Sequence, residues 1–223
     1  MSKPLQAVIF DLDGVITDTA EYHYLAWKAL GEGINVPFTR EFNEELKGIS
    51  RMDSLEKILA LGGREHDFTI EEKENLADQK NEHYKRLIQE ISPADILPGV
   101  ENLIAEIKNR GFKIGLASVS KNAFTVMESL QLTKQFDVII DAATIKNSKP
   151  DPEIFLTAAK ALDVDPTECI GIEDAVAGVE AIKGAGMFAV GVGSKDTLAK
   201  ADVVYERTAE LSLAKLIEKY KLG

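Results

Sequence analysis

The sequence has one cysteine, Cys169, in 223 residues. That excludes an intramolecular disulfide, and the apolar run Glu168-Cys-Ile-Gly-Ile172 predicts a buried strand thiol rather than a reactive one. Long apolar runs are missing as well. No stretch approaches the roughly 20 residues that a membrane-spanning helix needs. The apolar residues near Leu5 to Phe10 give way to charge too soon for a signal-peptide core. A cytoplasmic protein with no membrane partner is expected. Positive charge is scarce: 26 Lys and Arg stand against 37 Asp and Glu, a net charge of −11. That balance repels nucleic acid and anionic lipid, so neither is an expected partner. A small phosphorylated substrate stays compatible, because a few cations in one cleft reverse the sign locally. No repeat, low-complexity stretch or assembly segment stands out, and a monomer is expected.

Hydrophobic residues make up 45% of the chain, enough for a sizeable core. Short β-rich runs fall at 7–10, 113–118, 138–141, 169–173, 188–192 and 203–205. Several are apolar on both faces, the pattern of strands buried inside a parallel sheet. Amphipathic stretches at 100–109, 123–130, 152–162 and 175–185 alternate with them, and Gly111 and Gly186 are placed as helix stops. The alternation predicts an α/β fold with a doubly wound, Rossmann-like parallel sheet.

One segment breaks the alternation. Residues 19–88 carry only helical patterning, at 24–30, at 53–61 and in a charged stretch over 71–91. The expected organisation is a catalytic core of 1–18 and 89–223, with 19–88 forming a helical cap over the end of the first strand. The insertion point matters, because ligands of open α/β sheets bind beyond the carboxyl ends of the strands.

Ala-Val-Ile-Phe-Asp11-Leu-Asp13-Gly-Val is an apolar strand ending in two carboxylates one residue apart. In an extended chain they point to the same side. Such a pair is costly unless a cation neutralises it or one carboxyl keeps its proton. Both escapes suit phosphoryl transfer, with one carboxylate as nucleophile and its neighbour as acid or base. Two turn-forming acids capping a loop would look the same.

The run Phe-Asp-Leu-Asp-Gly-Val-Ile-Thr-Asp resembles the nucleophile loop of the haloacid dehalogenase superfamily. Three further motifs follow in order. Ser118 ends the strand Lys-Ile-Gly-Leu-Ala-Ser, Lys149 stands in Ser-Lys-Pro-Asp-Pro, and Glu173-Asp174 end Ile-Gly-Ile. Singly these would serve as a helix cap, a solvated loop cation and an acidic pair at a helix N-terminus. Within the superfamily the chain resembles the β-phosphoglucomutase family. The likeness rests on the stretch from Phe10 to His23 with Ala-Trp-Lys-Ala-Leu30, and on Phe42-Asn-Glu-Glu-Leu-Lys-Gly-Ile-Ser-Arg51-Met-Asp-Ser54. Ile91-Ser-Pro-Ala-Asp-Ile-Leu-Pro-Gly99 and Ala117-Ser-Val-Ser-Lys-Asn122 extend it. Val119 departs from the small residue the pattern leads one to expect there, and could crowd the phosphate side of the cleft.

The resemblance implies conversion of β-glucose 1-phosphate to glucose 6-phosphate, a hexose phosphate substrate, through a bound β-glucose 1,6-bisphosphate that also primes the enzyme. It implies Asp11 as the nucleophile that becomes an aspartyl phosphate and Asp13 as general acid/base. Ser118 and Lys149 would hold phosphoryl oxygens. Mg²⁺ would sit on Asp11, the Asp13 carbonyl, Glu173 and Asp174, an oxygen set that suits it. Arg51 would grip the distal phosphate bidentately, with Ser120, Lys121 and Asn122 from the core side and Gly48 and Ile49 from the cap loop. Thr19, His23 and Lys47 would couple closure to the placement of Asp13, and Lys80, the most weakly marked, would join the substrate-binding residues. The bare spacing leaves other readings open. Lys47 and Arg51 could pair with Glu44 or Glu45 on a solvated helix, His23 and Lys80 could be surface helix residues, and Trp27 reads as cap packing. A sugar-phosphate phosphatase on the same core shares the nucleophile, the acid and the phosphate ligands. A dehalogenase would not need the Glu173-Asp174 pair. A non-catalytic phosphosugar-binding regulator would need neither nucleophile nor metal acids.

Overall fold

The computed structural model describes residues 4–222; residues 1–3 and 223, which the expected core range includes, lie outside it. Six parallel strands form one sheet: β1 (Ala7–Phe10), β2 (Lys113–Leu116), β3 (Val138–Ile139), β4 (Cys169–Glu173), β5 (Phe188–Val192) and β6 (Val203–Tyr205). Their order is β3-β2-β1-β4-β5-β6, the doubly wound topology that the alternation predicts. The order reverses beside β1, whose neighbours β2 and β4 pair with it in register, Phe10 opposite both Leu116 and Ile172. The crevice at that reversal is where an open sheet of this kind binds ligands.

β1 reads Ala-Val-Ile-Phe with every residue buried. Its alternate side chains enter two different cores. Val8 and Phe10 join the cluster beneath α5 (Val100–Asn109), α6 (Ala123–Ser129) and α9 (Leu213–Leu222). Ala7 and Ile9 join the cluster beneath α7 (Glu153–Ala161) and α8 (Val176–Gly184). Burying a side chain such as Ile9 or Phe10 stabilises the fold by about 1.5–3 kcal/mol, so the strand that carries the site is anchored from both faces. Cys169 lies in β4, fully buried as the sequence predicts, and burial pushes its thiol up to about 12.

Between β1 and α5 the chain is helical: α1 (Ala20–Gly33), α2 (Arg40–Glu44), α3 (Arg51–Leu61) and α4 (Ile70–Leu87). Trp27, Leu30, Phe38, Leu55, Ile58 and Leu59 build an apolar cluster of this segment's own. Trp27 is packed inside it, as its reading as cap packing predicts. α4 starts on a capping box between Thr69 and Glu72, which satisfies two otherwise orphaned N–H groups.

Several expected ends move. β2 stops at Leu116 rather than 118 because the Ser118 hydroxyl turns to accept from the Ser120 N–H, 3.2 Å away, and the ladder ends. β3 stops at Ile139 rather than 141, since the Asp141 side chain accepts the Ala143 N–H and starts a tight turn. The helix expected over 71–91 ends at Leu87 and tightens into a single 3₁₀ turn, Ile88–Glu90. Pro93 follows closely and disfavours helix in the residue before it. The expected elements leave out α2, too short for periodicity, and α9, although its Leu213, Leu216, Ile217 and Tyr220 keep the three-and-four spacing of one helical face.

Candidate active site

Asp11 lies one residue beyond β1, its N–H donating to the Ile172 carbonyl at 3.0 Å. The chain then turns at Gly14, where φ is +74° and a Cβ would stand 2.2 Å from Asp174 Oδ2. Only glycine fits both demands, so β1 leads Asp11 and Asp13 to the carboxyl edge of the sheet. β2 and β4 bring Ser118, Glu173 and Asp174 to the same edge. Lys149 arrives on the loop before α7, after which the Lys149–Pro150 peptide is cis.

At the centre Lys149 is buried, its Nζ donating to Asp11 Oδ1 and to Glu173 Oε1, each at 2.6 Å. Burial opposes that charge, but the two carboxylates outweigh it and hold the ammonium above its ordinary range. Glu173 Oε2 accepts the Ala175 N–H at 2.8 Å. Removing one partner of such a buried pair would leave an uncompensated charge in a dry site, which costs about 3–5 kcal/mol. Lys149 is therefore not the solvated loop cation that its sequence also allowed, and Ser118 does not cap a helix.

The remaining acids are crowded. Burial and then the Asp11 charge raise Asp13 to about 8. Burial, Glu173 and Asp11 raise Asp174 well above the usual carboxylate range, and Glu173 is raised chiefly by burial. Carboxylate oxygens of Asp11, Glu173 and Asp174 lie within 4.8 Å of one another. An all-oxygen cluster with more negative charge than one lysine can offset fits a hard divalent cation. Glu173 keeps its place in that set although both its oxygens already accept, since each has a second lone pair.

Thr19, fully buried, donates its hydroxyl to Asp13 Oδ1. His23 Nε2 lies 4.0 Å from Asp13 Oδ2, and its Nδ1 is 2.8 Å from Lys80 Nζ. Lys80 is only 4% exposed, over the rings of Trp27 and Tyr84 at 4.6 and 4.9 Å. Burial first, then the nearby Arg51 charge, bring Lys80 down to about 7, and the same two kinds of effect hold His23 well below its ordinary value. Neither is the surface residue that helical patterning would also permit.

All of this borders one cleft of about 1110 Å³ between the sheet edge and the helical segment. Asp11, Asp13, His23, Lys47, Gly48, Ile49, Arg51, Lys80, Ser120, Lys121, Asn122 and Asp174 line it, and so does Val119. Thr19, Ser118, Lys149 and Glu173 stand behind this lining, each at most 1% exposed. Lys47 pairs with Glu44 at 2.8 Å, one of the two ion pairs its spacing suggested, but it lies in the turn after α2 and not on a helix. Arg51 opens α3 and sits 3.5 Å from Asp78, an acid that sequence spacing did not offer as its partner. Gly48 has φ +74°, and a Cβ there would meet the Ala175 Cβ at 3.0 Å, so the loop between α2 and α3 presses on the loop after β4.

The structure adds contacts that the sequence did not single out. Asn122 donates to Asn81 Oδ1 at 2.8 Å, and the Ser148 hydroxyl donates to Asp53 Oδ2. Each joins the sheet side of the cleft to the helical side across a long sequence separation.

A family model described as haloacid dehalogenase-like hydrolase matches residues 5–186. A β-phosphoglucomutase of Bacillus subtilis is 52% identical over 217 residues, 97% of this chain and 96% of that protein. A phosphorylated carbohydrates phosphatase of Thermotoga maritima is 31% identical over 188 residues, 82% of each chain. Among solved structures, a β-phosphoglucomutase of Clostridium difficile superposes with a TM-score of 0.96 at 51% identity, covering 98% of both chains. With strand-end acids, a buried lysine between them and full-length likeness all in agreement, this chain belongs to the haloacid dehalogenase-like hydrolase family and, within it, to the β-phosphoglucomutases.

Proposed function

We propose that this enzyme interconverts β-D-glucose 1-phosphate and D-glucose 6-phosphate, using an Asp11 phosphoenzyme and β-glucose 1,6-bisphosphate as intermediate and primer. The observation that carries the reading is the pairing of a carboxylate-rich floor with a cation-bearing opposite wall across one cleft. A substrate with a phosphate at each end spans that arrangement, reacting at Asp11 with one end while Arg51 and its neighbours hold the other. Residues 19–88 then act as the cap, on a core of 1–18 and 89–223.

The steps follow from the residues. Asp11 Oδ attacks phosphorus, and Lys149 and Ser118 hold the phosphoryl oxygens, the positioning that dominates this chemistry. Asp13, its carboxyl pushed up to about 8, can hold a proton and give it to the leaving sugar oxygen. Once ionised it takes the proton of the hydroxyl attacking in the next half-cycle. Thr19 fixes its orientation through a hydrogen bond, and His23 stands 4.0 Å from its other oxygen. A Mg²⁺ ion held by Asp11, Glu173, Asp174 and the Asp13 carbonyl would supply charge neutralisation for nucleophile and phosphoryl group. Lys47, Arg51 and Lys80 from the cap, with Gly48 and Ile49 in its loop and Ser120, Lys121 and Asn122 opposite, bind the distal phosphate and the sugar. The intermediate turns round between the two transfers.

The test is a coupled assay of glucose 6-phosphate from β-glucose 1-phosphate, with Mg²⁺, a trace of bisphosphate and free phosphate measured in parallel. The expected result is glucose 6-phosphate with little free phosphate, lost on chelation of the metal. Free phosphate without isomerisation would make this a sugar-phosphate phosphatase and sink the mutase reading.

A further inference from the structure

The segment 146–149 is held from three directions. Glu153, the first residue of α7, accepts the Lys146 N–H at 3.0 Å and the Asn147 N–H at 2.8 Å, one on each carboxylate oxygen. Lys149, at the other end, reaches Asp11 and Glu173. Between them the Ser148 hydroxyl donates to Asp53 Oδ2, on the first turn of α3, two residues after Arg51. The same oxygen accepts the hydroxyl of Ser50, the residue that caps α3. Asp53 thus joins the helix that presents Arg51 to the loop that presents Lys149, and both it and Ser148 border the cleft. A charged acceptor makes this hydrogen bond stronger than a neutral one.

We infer that Asp53 and Ser148 are positioning residues: their hydrogen bond latches the helical cap to the Lys149 loop and thereby shields phosphorylated Asp11 from water. The inference rests on the Asp11 phosphoenzyme of the proposed function and deepens it by naming what limits hydrolysis. In that side reaction a water oxygen bonds to phosphorus while the bond from phosphorus to the Asp11 oxygen breaks. One water proton passes to Asp13, and inorganic phosphate leaves. The latch touches none of these atoms; it acts on how often the cleft is open. The other crossing contact, Asn122 to Asn81, includes a residue assigned to substrate binding and cannot make a clean test.

The experiment forms the phosphoenzyme with acetyl phosphate and Mg²⁺, removes the donor, and follows decay to free phosphate without sugar. Ser148→Ala is expected to shorten the lifetime about three- to tenfold, the population shift that one modest hydrogen bond can supply. Ser148→Thr, which restores the hydroxyl, should stay within about twofold of the wild type by the same reasoning. In a double-mutant cycle Asp53→Ala should add little once Ser148→Ala is present. Equal lifetimes for wild type and Ser148→Ala, a Thr variant as short-lived as the Ala variant, or additive effects would overturn the latch. A wild type that forms no phosphoenzyme at all would instead remove the reading of Asp11, and the latch with it.

Discussion

On the floor of the cleft one lysine stands among four carboxylates, and the facing wall carries Lys47, Arg51 and Lys80, the last two beside His23. The floor charges are mutually committed: Lys149 is fully buried and bonded to two acids, and Thr19 holds a third. The wall charges are held more loosely or at a cost. Among the described residues Arg51 and Lys47 form ion pairs with the exposed acids Asp78 and Glu44, and buried Lys80 has no carboxylate hydrogen-bonded to it. The floor is arranged to stay fixed while bonds break. In the proposed function the wall keeps cationic character for the distal phosphate, which would let an acidic protein bind a dianion.

The comparison breaks most sharply at Asp11. Asp11→Asn leaves the wall intact and should lower glucose 6-phosphate formation on the order of 10⁴-fold or more, as loss of a covalent nucleophile does. Circular dichroism and thermal melting should show a folded protein. If the variant stays active, the floor does not carry the chemistry.

Arg51→Lys sharpens the wall's side. It keeps the charge but loses the fork that grips a phosphate with two N–H groups. The KM for the sugar phosphate should rise roughly tenfold, the scale of one hydrogen bond to a charged group. Phosphoenzyme formation from acetyl phosphate should change little, because that donor does not reach the wall. An equal loss with both donors would place Arg51 in the floor's machinery instead.

Lys80→Met should give the smallest effect on the fold and one of opposite sign. The folded state holds Lys80 at about 7, below the ordinary lysine value of 10.5, so between those values the unfolded chain binds more protons. Wild-type stability therefore gains from this group as pH rises from about 7 to about 10.5, and the penalty of burying the charge is fully present below that window. Lys80→Met should melt higher than the wild type at pH 6, by about 2–4 °C for each kcal/mol relieved, and the gain should shrink towards pH 10. Activity should fall at the same time. A variant less stable at pH 6 would mean that the contacts to His23, Trp27 and Tyr84 outweigh the desolvation of the charge.

The two regions were also unequally legible in the sequence. The floor could be read because each of its acids ends an apolar strand, where local pattern and topology coincide: β1 leads to Asp11, and β4 leads to Glu173 and Asp174. The wall could be named only through resemblance, since Lys47 and Arg51 at a spacing of four suit a solvated helix equally well. One signal for Lys80 was present: Ala77, Lys80 and Tyr84 are the buried residues of α4, spaced three and four apart along one helical face. The latch had none, because Asp53 and Ser148 come together only when α3 folds over the loop before α7. Pairs of that kind depend on tertiary closure, which neither periodicity nor motif records.

The most direct measurement of the central claim follows a labelled phosphoryl group. Enzyme incubated with ³²P-labelled β-glucose 1,6-bisphosphate and quenched in acid should carry label on the peptide containing Asp11. A chase with unlabelled β-glucose 1-phosphate should return that label to sugar phosphate and leave little as inorganic phosphate. Label on another peptide, or label released to water alone while the sugar phosphate is present, would contradict the account.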